Sequence, residues 1–291
     1  MKNLKSTVFV LALLLSCSMV QAQQGLIKSK VLVASHRGDW RNYTENSIEA
    51  IESCIKMGVD IVEIDVSQTK NGYLILMHDK TVDRTTNKKG LVSDFTLEEI
   101  RQMSLKNGLG RAGEFKIPTL EEAMLAAKGK ITVNLDKADK YFDDVYKILE
   151  KTGTVEQTII KSDRSYEELK AKYGEHFEKM TFMPVINIKD ETTFESLHPV
   201  LEKQYPYYEI VFENENKELL LRIKNYLKDT TSIIWINSLW PSLCGGYSDD
   251  RALANPNATW GYLINDLGAG ILQTDRPQYM LEYLRTNGSH K

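Results

Sequence analysis

Ile61-Val62-Glu63-Ile64-Asp65-Val66 is the stretch on which the reading of this chain turns. Side chains alternate along a strand, so Glu63 and Asp65 point to one side and Val62, Ile64 and Val66 to the other. Two carboxylates on one face repel each other unless something positive lies between them. A hard divalent cation with oxygen ligands, Mg²⁺ or Ca²⁺, would do that. The apolar face needs a cover, and the flanking sequence offers one. Upstream, Val31–Ser35 reads as a strand ending in His36-Arg37-Gly38, and in Ser47–Met57 the residues Ile48, Ile51 and Ile55 share a helical face.

The same rhythm continues to the end of the chain. The runs Val31–Ser35, Val59–Gln68, Ile131–Asp136, Thr158–Ser162, Phe182–Asn187, Tyr208–Glu213, Ser232–Asn237 and Gly270–Thr274 read as strands. Helix-like segments lie between them, at Thr119–Ala127, Tyr141–Glu150, Ser165–Tyr173, Phe194–Lys203, Lys217–Leu227 and Gln278–Arg285. Eight strand–helix units fit an α/β fold of the TIM (β/α)8 barrel type. An open doubly wound sheet is the rival, weakened because no GxGxxG follows the first strand. One interruption follows the second strand: a strand-like Tyr73–Asp79, then a polar stretch over 80–118 with a helix expected at Leu97–Leu105. It leaves from the strand end where barrel active sites assemble.

Composition narrows the function classes. The chain has 291 residues, 42% apolar and 26% charged, the balance of an ordinary globular protein. Its formal charge of −3 offers no general basic field for nucleic acid. Three cysteines without a CxxC spacing exclude a disulfide scaffold or cysteine zinc cluster. Cys54 and Cys244 could pair in an oxidising compartment, although Cys54 also reads as a small buried hydrophobe on a helix.

Lys2 and Lys5 precede the apolar run Val8–Leu15, which is shorter than the roughly 20 residues that span a bilayer. Val20-Gln21-Ala22 supplies a small-residue cleavage site, so residues 1–22 read as a secretory signal peptide and 27–291 as the barrel. Leu14-Leu15-Ser16-Cys17 also resembles a lipobox, in which Cys17 would carry a lipid anchor. Either route takes the protein out of the cytoplasm, to a periplasmic or extracellular site. Losing Lys2 and Lys5 with the signal peptide moves the charge from −3 to −5. No later stretch is long and apolar enough to span a membrane, and nothing here reads out an oligomeric state.

The remaining chemistry lies in polar residues at expected C-terminal strand ends: His36, Arg37, Glu63, Asp65, His78, Asp79 and Asp136. Each alone has an ordinary explanation. A strand-end histidine can be packed or capping, Arg37 can be an ion-pair partner, and Asp136 can cap the next helix. Together they supply two proton-transfer groups, an anion-binding cation and a metal cradle on one barrel face. Asn46 precedes a helix and suits a hydrogen bond to a ligand or to His36, or equally helix entry.

The ordered set His36-Arg37-Gly38, Glu45-Asn46-Ser47, Glu63-Ile64-Asp65, His78-Asp79 and Asp83-Arg84-Thr85-Thr86 with Gly90 resembles the glycerophosphodiester phosphodiesterase family. Phe95–Glu99, Ile117–Glu122 and Thr274–Pro277 extend the likeness, which is dense over 31–122 and thin over 161–229. The resemblance implies a TIM barrel with a small insertion and metal-dependent hydrolysis of a small phosphodiester to glycerol phosphate and an alcohol. It implies Glu63 and Asp65 as metal ligands, His36 and His78 as the acid–base pair, and Arg37 on a phosphate oxygen. Histidine suits proton transfer near neutral pH, and Arg can fork onto phosphate.

Departures from the family pattern matter. Thr44 stands for a proline. Asp136 stands where the family has Glu and is followed directly by Lys137, so the two should point apart unless the strand ends or bulges there. Asp136 is the expected third ligand, Lys137 a weaker candidate phosphate contact, and Asp139 a lesser ligand candidate. Trp235 suits a glycerol face or core packing equally. Lys161 faces inward only in one register, and Trp240–Tyr247 is atypical enough to shape a distinct pocket. Two other readings stay open: a phospholipase D-like or phosphoinositide-cleaving barrel, and a non-catalytic phosphodiester-binding protein.

Overall fold

The computed structural model describes residues 30–291, so the signal peptide and the lipobox at Cys17 lie outside the described residues. Eight parallel strands close on themselves: β1 (Leu32–His36), β2 (Ile61–Gln68), β4 (Thr132–Asp136), β5 (Thr158–Ser162), β6 (Thr181–Ile188), β7 (Tyr207–Phe212), β8 (Ile233–Asn237) and β9 (Ala269–Thr274). The order runs β1-β9-β8-β7-β6-β5-β4-β2, and β1 pairs with β2 to close the ring. The expected TIM barrel is what forms. The extra β3 (Leu74–Leu76) lies antiparallel on the outer half of β2, with Val66 opposite Leu76.

Local chemistry explains the elements. Helix Ile48–Met57 starts at Ser47, whose side chain accepts from the Ala50 N–H, and stops at Gly58 in left-handed conformation. Thr119 and Glu122 form a reciprocal capping box at helix Leu120–Ala127, as Thr96 and Glu99 do at Leu97–Arg101. That second helix is shorter than expected, because Leu105 leaves it to hydrogen-bond Phe115 and bridge to Thr86. Gly38 sits where a Cβ would lie 2.7 Å from that of Ala50, so the β1 end packs directly on the first helix.

The core is layered. Outward strand residues such as Val33, Val62, Ile64 and Val133 pack under the helices. Leu32, Ala34, Ile61, Ile159, Met183, Tyr207, Trp235 and Ile271 plug the lower interior of the barrel. The 80–118 stretch has a small core of its own around Val82, Val92, Ile100 and Leu105. Cys54 and Cys244 are both free and buried, so no disulfide joins them. No helix among the described residues is long and apolar enough to cross a membrane.

Candidate active site

Above the apolar plug the inward positions turn polar. Register places His36 of β1 beside Glu63 of β2, and Asp65 of β2 beside Asp136 of β4. Glu63, Asp65 and Asp136 each offer an oxygen within 4.8 Å of the others. An all-carboxylate oxygen set fits a hard divalent cation. Glu63 and Asp65 are almost wholly buried, whereas Asp136 reaches the mouth. Burial, and after it the Asp65 charge, pushes the Glu63 carboxyl up to about 8, so the cradle is short of positive charge. Burial acts the same way on Asp65, but Lys137 and then Arg37 hold that carboxyl below the usual range.

The cradle is braced from its rim. The Asn46 side chain donates to Asp65 Oδ2 at 2.9 Å and accepts the Asp65 N–H at 3.0 Å. Ser47 caps the helix, so Asn46 acts on a cradle carboxylate and not on helix entry. The Arg37 N–H donates to Glu63 Oε2 at 3.1 Å, and Arg37 Nε lies 3.4 Å from Asp65 Oδ2. Lys137 does turn inward: β4 ends at Asp136, and a φ of 62° at Lys137 swings its side chain back over the site. Its Nζ donates to Asp65 Oδ1 at 2.9 Å and to the His78 carbonyl at 2.7 Å.

Each histidine is paired through Nδ1. His36 Nδ1 is 2.7 Å from Asp275 Oδ1, and His78 Nδ1 is 2.6 Å from Asp79 Oδ1. Burial lowers the His36 pKa below its ordinary 6.5 despite the Asp275 contact. Arg84 hydrogen-bonds Asp79 and holds it down to about 2, and the same guanidinium grips Glu45 with both Nη atoms. Glu45 in turn accepts from Arg37 Nη1 at 3.2 Å. With both aspartates ionised, each imidazole donates from Nδ1 and keeps Nε2 for exchange.

A cavity of about 360 Å³ opens beside this machinery, walled by His36, Arg37, Trp40, Glu45, Trp240 and Asp275. A larger groove of about 580 Å³ runs between outer helices Tyr166–Tyr173 and Phe194–Leu201, away from the histidines and the cradle. Trp235 is fully buried in the barrel plug, donating to Asn237 Oδ1 at 2.8 Å. The tryptophan at the cavity is Trp240, with its ring 5.9 Å from that of His36. Asp139 lies off the cradle, accepting from Ser162 Oγ at 2.9 Å.

Three participants had little or no sequence signal. Asp275 was legible only as part of a closing motif, 239 residues from the histidine it pairs with. Glu209 lies mid-strand in β7, and nothing local marks it. Lys161 had a signal, its position near the end of a strand, but its direction depended on register.

Comparison with known proteins agrees along different parts of the chain. Residues 36–174 match the model of the glycerophosphoryl diester phosphodiesterase family, and residues 182–284 match a domain of unknown function, DUF4996. A glycerophosphodiester phosphodiesterase of Caldanaerobacter subterraneus is 52% identical over 95 residues, 32% of this chain and 39% of that protein. The chain thus spans well under half of that relative's length. A crystal structure of a glycerophosphoryl diester phosphodiesterase from Parabacteroides distasonis superposes with a TM-score of 0.70 at 25% identity, covering 89% of this chain and 87% of that one. An Oleispira antarctica phosphodiesterase, solved with the product sn-glycerol-3-phosphate, shares the fold at 16% identity, with a TM-score of 0.62 over 87% of this chain and 96% of that one. The first half by sequence and the closed barrel by shape lead to one assignment: residues 36–174 carry the sequence of the glycerophosphodiester phosphodiesterase family, on the TIM-barrel fold of its solved members.

Proposed function

We propose that this protein hydrolyses glycerophosphodiesters to glycerol phosphate and an alcohol, with a divalent cation, Mg²⁺ or Ca²⁺, held by Glu63, Asp65 and Asp136. The observation that carries this is the pair of aspartate-oriented histidines beside one carboxylate cradle. A cation bound there would polarise a phosphoryl oxygen and offset charge developing in the transition state. Arg37 lines the cavity, held by Glu45 at Nη1 and facing Asp65 at Nε, so its guanidinium is positioned to meet a phosphate oxygen. His36, whose pKa burial lowers, takes a proton at Nε2 from the attacking water, whose oxygen ends on the phosphate of the product. His78 delivers a proton to the leaving alcohol oxygen as the new P–O bond forms and the old one breaks. Lys137 keeps His78 and Asp65 in register by bonding to both.

The test is turnover of a glycerophosphodiester panel, beginning with glycerophosphocholine, on metal-loaded protein. Glycerol phosphate and free alcohol should appear, and both EDTA and His78→Ala should abolish them. Turnover that survives both treatments would sink the reading. Export is a second part of this proposal, resting on Lys2, Lys5 and the apolar run that follows them. Mass spectrometry of the mature N-terminus should find Gln23 first, or Cys17 carrying lipid. An intact Met1 on the mature protein would exclude both.

A further inference from the structure

Among the described residues, the three basic side chains that face the cradle carboxylates do not do the same work. Arg37 and Lys137 both lean on Asp65, at 3.4 and 2.9 Å. Lys161 stands elsewhere. Its Nζ lies 3.8 Å from Glu63, 3.9 Å from Asp136 and 3.6 Å from Glu209. These carboxylates come from β2, β4 and β7, and Lys161 from β5, so the ammonium ties four strands together. None of the three distances is a direct hydrogen bond. The ammonium is held by the summed field of three carboxylates rather than by any one of them.

Glu209 is aimed at Lys161 by a buried relay. Trp235 Nε1 donates to Asn237 Oδ1 at 2.8 Å, and Asn237 Nδ2 donates to Glu209 Oε1 at 2.9 Å. The second oxygen, Oε2, is buried without any hydrogen bond, on a side chain only 5% exposed. A buried carboxylate oxygen left unpaired is costly unless a charge faces it. Here that charge is Lys161.

We propose that Lys161, steered by Glu209, is a resident cation that restricts the carboxylate centre to a single divalent ion and sets its net charge for a phosphodiester. The proposal rests on reading Glu63, Asp65 and Asp136 as a metal cradle. Paired-ion sites hold two metals about 3.5–4 Å apart on shared carboxylates, and the Lys161 ammonium occupies that kind of position beside two cradle ligands. Charge bookkeeping points the same way. Glu63, Asp65, Asp136 and Glu209 face Arg37, Lys137 and Lys161 at the mouth. With one divalent ion bound and all four carboxylates ionised, a single positive charge remains, the complement of the one negative charge on a phosphodiester. Without Lys161 the same centre would be neutral with one ion and would have room for a second.

Calorimetric titration of Mg²⁺ into the EDTA-stripped full chain tests this. Wild type should take up one ion. Lys161→Met should take up two, or bind the first about tenfold more tightly. Glu209→Gln, which removes a carboxylate and keeps the ammonium, should weaken binding by about tenfold. The double variant Lys161→Met/Glu209→Gln restores the charge balance and should return to one ion at close to wild-type affinity. Two ions in wild type, or wild-type stoichiometry and affinity in Lys161→Met, would overturn the assignment. If Lys161→Met does not fold, unchanged affinity in Glu209→Gln overturns it equally. A wild type that binds one ion but cleaves no phosphodiester would remove the hydrolase reading and leave the Lys161 assignment standing. One that binds no divalent ion would remove the cradle and this inference with it.

Discussion

His36 and His78 each turn Nδ1 to an aspartate, but the two pairings differ in how they could be found. Asp79 is the residue after His78, so that pair is legible in the sequence itself. Asp275 reaches His36 only because β9 lies beside β1 in the closed barrel. Asp275 also accepts from Trp40 Nε1 at 2.7 Å, which fixes the carboxylate against rotation. Burial lowers the His36 pKa and Asp275 partly offsets that. In Asp275→Asn the offset is lost, so the pKa falls further and the acid limb of kcat/KM moves to lower pH. The rate should also fall by about 10²–10⁴-fold, because the imidazole loses the partner that fixes its tautomer. A pH–rate profile checks both effects, and an unmoved acid limb would remove Asp275 from the proton path.

The element that supports Asp275 is the short helix Asp249–Ala254, which the strand–helix rhythm did not reveal. Its first residue is buried and accepts from Ser238 Oγ at 2.6 Å, Trp260 Nε1 at 3.0 Å, Thr274 Oγ1 at 2.9 Å and the Asp275 N–H at 2.7 Å. Asp249 therefore binds the ends of β8 and β9 together behind the histidine. Burial raises its pKa from 3.8 to about 6, against the pull of these donors. A carboxyl held above its unfolded value contributes stability in full below about pH 3.8, and loses it as pH rises through about 6. Asp249→Asn has no such ionisation and turns an amide N–H₂ toward donors, costing about 1–3 kcal/mol. In urea denaturation the wild type should be the more stable, with the gap narrowing between pH 4 and 6. A gap independent of pH would mean that Asp249 does not titrate there. Lys137 teaches a similar lesson for β4. Alternation alone sends it away from Asp136, and only the end of the strand, with a left-handed residue, brings it over the site.

The molecule as a whole sets an apolar plug beneath a polar ring, and the ring carries more carboxylate than ammonium and guanidinium. Binding a divalent ion should therefore stabilise the fold as well as equip the site. At 100 times its dissociation constant, Mg²⁺ or Ca²⁺ should add about 2.7 kcal/mol. Thermal melts with and without EDTA check this, and the gain should vanish in Asp65→Asn. An EDTA-insensitive melting temperature would argue against a metal at Glu63, Asp65 and Asp136. The sequence by itself determined the barrel, through eight alternating units, and it marked His36, Arg37, Glu63, Asp65 and His78, because strand periodicity and motif order are local. It could not decide between a glycerol face and core packing for Trp235, the direction of Lys137 and Lys161, or the partners of His36. Those depend on which strand ends meet when the sheet closes and on where each strand stops. Both are properties of the ring, and no single segment encodes them.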